Sequence, residues 1–273
     1  MFKIFLESFK RTNTSIILAI PLVIFILLAE IYYSSIKDLI SDIPQMLLAI
    51  ATIIFVLSAF MSSWFYMAKK TLKYSNKIFV FETDRGNAFK EILSSFHKGF
   101  GKLFLTFMGF ILINIGIYYI LHMLISFTII KNVGIISFEG FNLQLLLNPL
   151  ELHDKIINLS SGGELALSYW LCCMGICSSI ISFITMLWIP EIVYSKNNVI
   201  ASLFNSIKKI IISFPKSIML YLYIQLLLLI CAIISVICMN NIYLYFLAIL
   251  FYYYLFIYIV VLLYTYYEQT FLK

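Results

Sequence analysis

The chain consists of long apolar stretches that are separated by shorter polar segments. Six stretches are long enough to cross the hydrocarbon core of a bilayer, about 30 Å thick, at a helical rise of about 1.5 Å per residue. Each must be a helix, because a lone lipid-exposed strand would leave its backbone polar groups unpaired. Runs such as QLLLLICAII also lack the alternation that a transmembrane barrel needs. The predicted spans are residues 15–33, 46–67, 103–130, 167–189, 217–239 and 242–266.

The polar segments before the first, third and fifth spans share one pattern. We call them block one (2–11), block two (89–98) and block three (200–209), with offsets of 87 and then 111 residues. In each block the bulky apolar residues follow the i, i+3, i+4, i+7 spacing of a helix with one apolar face. These residues are Phe2, Phe5, Leu6 and Phe9, then Phe89, Ile92, Leu93 and Phe96, and finally Ile200, Leu203, Phe204 and Ile207.

The polar positions of the three blocks coincide as well, without gaps. Ser8 aligns with Ser95 and Ser206. A block is too polar to cross the bilayer and too apolar to remain in water, so we expect each to lie in the interface as an amphipathic helix. Its basic side would then face anionic lipid. The predicted headgroup contacts are Lys10, Arg11, Lys98, Lys208 and Lys209.

An interfacial helix followed by a transmembrane hairpin therefore occurs three times, at about 1–67, 88–190 and 199–266. Each unit begins on the same side of the membrane, so these are parallel repeats, unlike the inverted repeats of many transporters. The alternative is that three unrelated basic linkers align by chance. We predict an all-α polytopic membrane protein with one membrane domain over 1–273. Its loop 131–165 is interpreted as an insertion that carries a short helix on the outer face.

Composition and charge agree with a membrane protein. Hydrophobic residues make up 63% of the chain and charged residues 12%, whereas soluble domains carry about 45–50% and about 25%. The net charge of +6 could suggest nucleic acid as a partner. However, all 19 Lys and Arg residues except Lys37, Lys131 and Lys155 fall on one side of the predicted spans. This asymmetry predicts that both termini are cytoplasmic in the inner (plasma) membrane, so membrane lipids explain the charge and nucleic acid is not needed.

The stretch 188–215, WIPEIVYSKNNVIASLFNSIKKIIISFP, resembles part of a known group of bacterial six-span membrane proteins. These are the membrane domains attached to glycerophosphodiester phosphodiesterases, together with their stand-alone relatives of uncharacterised function. The matching positions are Pro190, Ile192, Val193, Ala201 and Ser206. The resemblance implies the six-span architecture. It supplies no catalytic residue, because the 273 residues leave no length for the soluble phosphodiesterase barrel.

Ionisable side chains, which mark ion pathways inside membranes, are scarce within the spans. Glu30 lies in the last turn of the first span, where we expect it to face water. We interpret His122 as a structural histidine, because no second His or carboxylate lies at helical spacing from it. Asn114 and Gln225 lie deeper, and amides at such depth commonly bond across helices. These three residues, Asn114, Gln225 and His122, are the candidates for interior polar contacts, with structural bonding favoured over contact with a substrate.

Two further features could indicate chemistry, and we interpret both as structural. Cys173 and Cys177, beside Cys172, lie on one helix face, as a soft-metal site could require. No zinc-type His pair follows, and the small neighbouring residues favour close helix packing instead. His153 and Asp154 are adjacent and would point apart on a helix. Hydrolase, P-loop and Rossmann motifs do not occur in the sequence, so we predict no catalytic residue, no metal site and no cofactor.

The preferred interpretation is a non-enzymatic integral membrane protein that acts as a scaffold, a lipid-interacting module or an accessory subunit. The alternative is a permease subunit of a multi-component exporter, which would dock a partner ATPase on segment 68–102 or 191–216. A lipid-modifying enzyme would need polar side chains that converge at an interface. Glu191, Asn197 and Asn198 lie near a span end, but the sequence gives them no partner for such chemistry.

Overall fold

The computed structural model describes residues 1–36, 42–75, 82–133, 161–195, 198–238 and 241–272. Within these ranges every regular element is helical. The elements are α1 (Phe2–Thr14), a 3₁₀ turn (Ile16–Leu18), α2 (Ala19–Ile36), α3 (Ile43–Ser75), α4 (Glu82–Val133), α5 (Ser161–Thr185), α6 (Trp188–Ser195), α7 (Val199–Ile212), α8 (Phe214–Cys238) and α9 (Ile242–Phe271). Most of the predicted outer loop 131–165, with its short helix, lies outside the described residues.

Six helical segments of the described chain are long and apolar enough to cross a membrane, which confirms the predicted number of spans. They are Ile16–Ile36, Ile43–Ser75, Asp84–Thr128, Leu167–Ser195, Phe214–Cys238 and Tyr243–Phe271. Large apolar side chains such as Leu48 and Ile237 stay about 70% exposed, at 69% and 68%. Hydrocarbon tails are as apolar as leucine, so this exposure is stable in a bilayer. The protein is a multi-pass α-helical membrane protein.

Proline residues explain where several helices begin. Pro21, Pro44, Pro190 and Pro215 lie in the first turns of α2, α3, α6 and α8, respectively. A proline there removes no helical hydrogen bond, because the first turn has no intrahelical acceptor for its backbone N–H groups. Pro190 therefore separates α6 from α5 although both belong to one apolar stretch.

Blocks one and three form separate helices, α1 and α7, that end in the same way. Ser15 and Ser213 occupy the same register, and both leave the helical conformation, at φ −108° with ψ 17° and 29°. Their carbonyls accept hydrogen bonds from the backbone N–H groups of Leu18 and Lys216, each at 3.0 Å. The two breaks therefore share one backbone geometry at positions 198 residues apart.

Block two differs from the prediction of three separate helices. The helix α4 runs without a break from Glu82 through block two and into the third span, over 52 residues. Lys102 occupies the register of Ser15 and Ser213 but is helical. The physical reason is that Pro21 follows the break at Ser15 by six residues and Pro215 follows the break at Ser213 by two, whereas block two is followed by Gly99 and Gly101 and by no proline as far as the end of α4. Glycine lowers helix stability by about 1 kcal/mol without blocking the helix.

All three blocks turn the same small polar position inward. The aligned residues Ser8, Ser95 and Ser206 have relative exposures of 0%, 1% and 0%. The bulky residue six positions earlier in each block is exposed, at 78% for Phe2, 50% for Phe89 and 57% for Ile200. Each block therefore packs through its small residues and presents apolar side chains to its surroundings.

The described residues form two compact units. The first unit comprises Met1–Ile111 and Phe183–Lys273, and the second comprises Leu112–Ser182. One buried cluster of the first unit includes Leu187, Leu220, Leu262 and Tyr266. The second unit contains the later part of α4 and most of α5.

Close packing of α4 on α3 depends on Gly99. A Cβ atom at this position would lie 2.6 Å from the carbonyl oxygen of Ser62 and 2.9 Å from the Cα atom of Ser63. These are backbone atoms, so they cannot move aside without shifting α3. By contrast, a Cβ atom on Gly101 would meet nothing within 4 Å. Gly99 and Gly101 therefore provide a test position and a matched control position on the same helix.

We predict that Gly99→Ala destabilises the protein and that Gly101→Ala does not. Overpacking against fixed atoms costs about 1–3 kcal/mol, whereas alanine at an open helical position gains up to about 1 kcal/mol. Reversible unfolding of both variants in detergent micelles measures the two free energies. Equal effects of the two substitutions would show that α3 and α4 are not closely packed at Gly99.

Candidate functional site

Arg11 connects the first helix to the last. It lies in the last turn of α1 with only 8% of its surface exposed. Its Nη1 atom donates a hydrogen bond to Glu268 Oε2 of α9 at 2.8 Å, and its Nη2 atom is 2.7 Å from Glu7 Oε1 one turn earlier. Gln269 Nε2 donates to the other oxygen of Glu7 at 2.6 Å. The guanidinium is therefore held between two carboxylates.

A second ion pair joins α6 to α7. Glu191 lies in the first turn of α6 and is 2% exposed. Its Oε2 atom accepts hydrogen bonds from Lys209 Nζ and from the Tyr267 hydroxyl, each at 2.6 Å. The ammonium group of Lys209 also lies 4.5 Å from the ring centroid of Tyr267. Block three is thereby tied to the end of the fourth span through its lysine.

Tyrosines connect the two ion pairs. Tyr194 of α6 donates a hydrogen bond to Glu268 Oε1 of α9 at 2.6 Å, while Tyr267 of α9 donates to Glu191 of α6. Each of these helices thus supplies one glutamate and one tyrosine to the other. We call the set the glutamate network, and it consists of Glu7, Arg11, Glu191, Tyr194, Lys209, Tyr267 and Glu268.

The ends of α3, α6 and α9 meet beside this network. Lys69 of α3 donates to the carbonyl of Val193 on α6 at 2.9 Å, and its ammonium group lies 4.5 Å from the Tyr194 ring centroid. Tyr264 of α9 donates to the carbonyl of Phe65 on α3 at 3.2 Å. With the α6–α9 bonds, hydrogen bonds join every pair of the three helix ends.

Block two carries a related cluster with the charges exchanged. Glu91 of α4 accepts hydrogen bonds from Lys70 Nζ, at 3.2 Å, and from the Tyr74 hydroxyl, both on α3. In blocks one and three the cation belongs to the block and the carboxylate to its partner helix, whereas here the carboxylate belongs to the block. Every block is therefore linked to a span end by a carboxylate, a tyrosine and a cation.

The charged groups of the network are paired with one another, while the Nε atom of Arg11 is buried without a hydrogen-bond partner. Glu191 and Glu268 are each occupied by a cation and a tyrosine hydroxyl. Among the described residues, no three His, Cys, Asp or Glu side chains come together as metal ligands. Cys172 and Cys173 are exposed. A buried ion pair adds little net stability, but removing one partner costs about 3–5 kcal/mol because the other charge is left unpaired. The arrangement is suited to fixing which helices are neighbours.

The five predicted headgroup contacts separate into two groups. Lys10, Lys98 and Lys208 are exposed, so they remain candidates. The prediction for Arg11 is corrected, because its guanidinium is buried and paired with protein carboxylates. Lys209 is likewise directed to the buried Glu191. Both residues lie three positions after an inward-facing serine, and each meets a carboxylate of its partner helix, Glu268 or Glu191.

The three candidate interior polar residues have different surroundings. In the second unit, His122 is exposed, and its Nδ1 atom accepts a hydrogen bond from Trp170 Nε1 at 3.2 Å. Asn114 is half-buried in the same unit. Gln225 is half-buried on α8 of the first unit. The indole partner makes a structural contact for His122 that the sequence did not indicate.

Sequence reasoning set aside Glu191 and did not single out Glu268 or Tyr194. A weak signal was present for Glu191, since it directly follows Pro190 in an otherwise apolar stretch. Its partners, however, are 18 and 76 residues away in the chain. A pattern of helical spacing cannot identify such contacts.

Comparison with known protein families, with curated proteins and with solved structures finds no match for this chain. The fold and the network therefore define its class. The chain is a multi-pass membrane protein whose helix ends are joined by paired buried charges.

We predict that Glu191→Gln lowers the free energy of unfolding by about 3 kcal/mol, because the Lys209 ammonium loses its buried counter-charge. Denaturant titration of the purified protein in micelles measures the change. Glu30→Gln is the control, since Glu30 is exposed and such substitutions usually stay within about 0.5 kcal/mol.

The double variant Glu191→Gln with Lys209→Met should lose less than the single one, because no charge remains unpaired. If Glu191→Gln alone had the same free energy of unfolding as Glu30→Gln, the ion pair between Glu191 and Lys209 would not be important for stability.

Proposed function

We propose that this is a non-enzymatic, lipid-interacting scaffold of a bacterial inner membrane, with both termini in the cytoplasm. The observation that carries the proposal is the orientation of the blocks. Each one packs on the bundle through a buried serine and leaves bulky apolar side chains exposed. A helix held in this way offers its apolar face to lipid, as interfacial helices do.

A threefold repeat of block and hairpin is part of the proposal. Block two packs on α3, which ends the first hairpin, and block three packs on α6, which ends the second. Block one packs on α9, which ends the third. Each block therefore contacts the end of the preceding hairpin in a closed cycle. The matched breaks at Ser15 and Ser213 support common descent over chance alignment.

The lipid contact rests on the exposed basic positions. Lys10, His97 and Lys208 align in the three blocks, and all three are exposed. Each lies directly after an apolar block residue, Phe9, Phe96 or Ile207. A cation next to a lipid-facing apolar residue suits the boundary between anionic headgroups and acyl chains. The uneven distribution of Lys and Arg supports the cytoplasmic side for this boundary.

The resemblance of 188–215 to the phosphodiesterase-associated membrane domains is likewise a proposal. Ile192, Val193 and Ser206, three of the matching residues, are buried at 0%, 1% and 0% exposure. Pro190, a fourth, lies in the first turn of the short helix that carries Glu191. These positions therefore have structural roles that a shared architecture would require.

Extraction of the protein with its surrounding lipid in polymer-bounded discs tests the proposed lipid contact. We expect anionic phosphatidylglycerol to be enriched in the discs over the bulk membrane, because each Lys near an anionic surface contributes about 1 kcal/mol. Lys10→Gln combined with Lys208→Gln should reduce this enrichment several-fold. Membranes with zwitterionic lipid alone are the control, in which discs of the variant and of the original protein should contain equal amounts of lipid. Equal enrichment for both proteins in anionic membranes would contradict the proposal.

A permease subunit that docks an ATPase is the second candidate, and one observation favours it. The unbroken α4 has 52 residues, which corresponds to about 78 Å at the helical rise. This length is more than twice the thickness of the hydrocarbon core. Residues before about 103 could therefore extend out of the membrane as a docking surface.

A photo-crosslinking residue at Leu93 tests the second candidate. Leu93 is 47% exposed on this part of α4. For a permease we expect a crosslink to an ATP-hydrolysing protein, identified by mass spectrometry, that depends on nucleotide. A crosslinker at Ile120 of the apolar span, which is 60% exposed, is the control. Lipid adducts alone at both positions would exclude docking at Leu93.

A further inference from the structure

An apolar groove lies between α2 and α3 and is closed at one end by block two. Its cavity of about 520 Å³ is lined by Phe25 of α2, by Ala59 and Phe60 of α3, and by Phe96 and His97 of α4. The rings of Phe25 and Phe60 stack at 3.9 Å and form part of its wall. Its volume falls within the range of pockets that enclose small molecules, about 300–1,000 Å³.

A second cavity of about 470 Å³ lies next along the same hairpin. The two cavities share Phe25, Leu28 and Val56 in their walls. Together they follow α2 from Ile20 to Ile36, which corresponds to about 24 Å at the helical rise. The space is therefore long and narrow, as an extended hydrocarbon chain requires.

The polarity of the groove changes along its length. At the end formed by block two, His97 lies in the wall and the exposed Lys98 follows it on α4. The residues that line the second cavity carry no charge, and their polar side-chain groups are the hydroxyls of Tyr32, Tyr33 and Thr52. A ligand with an anionic head and a long apolar tail matches this order of surfaces.

A related groove lies between α8 and α9 and is closed by block one. Its cavity of about 370 Å³ is lined by Phe5 and Phe9 of α1 together with Tyr223 and Tyr258. The ring of Tyr223 stacks on Phe5 at 4.1 Å. Tyr223 lies 198 residues after Phe25, which is the offset between blocks one and three. Phe9 of block one aligns with Phe96 of block two at the offset of 87 residues between these blocks. Equivalent positions of the repeat therefore line both grooves.

We infer that each of these two grooves binds one acyl chain of an anionic phospholipid, with its headgroup beside the basic position of the block. For the α2–α3 groove this position is His97 in the cavity wall. For the α8–α9 groove it is the exposed Lys10, which directly follows the lining residue Phe9 in the chain. The inference rests on the proposed lipid-interacting function and adds defined sites to it. Lipid tails gain no hydrophobic free energy by moving from bilayer to groove. Retention must therefore depend on the fixed aromatic walls and on the headgroup charge.

Native mass spectrometry after detergent purification tests this inference. The protein is prepared from membranes that contain phosphatidylglycerol and phosphatidylethanolamine. We expect the original protein to retain two phosphatidylglycerol molecules and Ala59→Phe to retain one, because the larger side chain fills the α2–α3 groove. Ala51→Phe is the matched control, since Ala51 is exposed on the same helix outside the lining residues. Equal retention by the two variants would overturn the inference.

The headgroup contact is tested by a second pair of variants that does not depend on core packing. His97→Glu should lower the ratio of retained phosphatidylglycerol to phosphatidylethanolamine at least five-fold, and Lys90→Glu, exposed on the same helix, should not. An unchanged ratio in His97→Glu would also overturn the inference. A dimer mass that disappears in Ala59→Phe would instead identify the groove as an interface between two copies. Ala59→Phe leaves Lys10 and Lys208 in place, so this variant should keep its phosphatidylglycerol enrichment in polymer-bounded discs. Absence of that enrichment in the original protein would count against the proposed function separately.

Discussion

The ion pair between Arg11 and Glu268 holds together helices that are 257 residues apart in the chain. Neither charge could stay near apolar surroundings without the other, since an unpaired buried charge is far more costly than a paired one. Glu191 and Lys209 repeat this arrangement between α6 and α7. Two tyrosines then connect the pairs, so that the position of α1 depends on α9, and that of α9 on α6. The neighbours of each helix end are thereby specified by charge pairing. Apolar contacts alone could not specify them, because the apolar surfaces of the helices are chemically alike.

Close approach of the helices makes these polar contacts reachable. Serines and one glycine occupy the inward positions of the blocks, and small residues allow membrane helices to pack through dispersion contacts where the hydrophobic effect gives no driving force. With Ser8 and Ser206 against the bundle, the residues three positions later reach α9 and α6. Small-residue packing and charge pairing therefore act on the same helix faces, while the bulky residues on the other faces remain available to lipid.

The spans were predictable because an apolar run of about 20 residues has essentially one stable conformation in a bilayer. The amphipathic blocks were predictable from their spacing. The continuous α4 was not, because its course depends on proline being absent after block two. The inward direction of Arg11 follows from its position three residues after Ser8, yet Lys98 has the same spacing from Ser95 and is exposed. The difference lies in the partner helix, since the end of α3 is basic at Lys69 and Lys70 and offers Lys98 no carboxylate. Only the three-dimensional neighbours reveal this.

The union of α1 with α9 has a consequence for biosynthesis. At about 5–20 residues per second, the ribosome needs on the order of tens of seconds to make the chain between Arg11 and Glu268. Throughout that time the guanidinium has Glu7, one turn away, as its nearby carboxylate, which serves as a temporary counter-ion until the final helix is inserted. A nascent chain interrupted before α9 would keep α1 undocked, with its inward serines uncovered. The helix α1 is thus made well before α9 but can reach its final place only after α9 has been inserted.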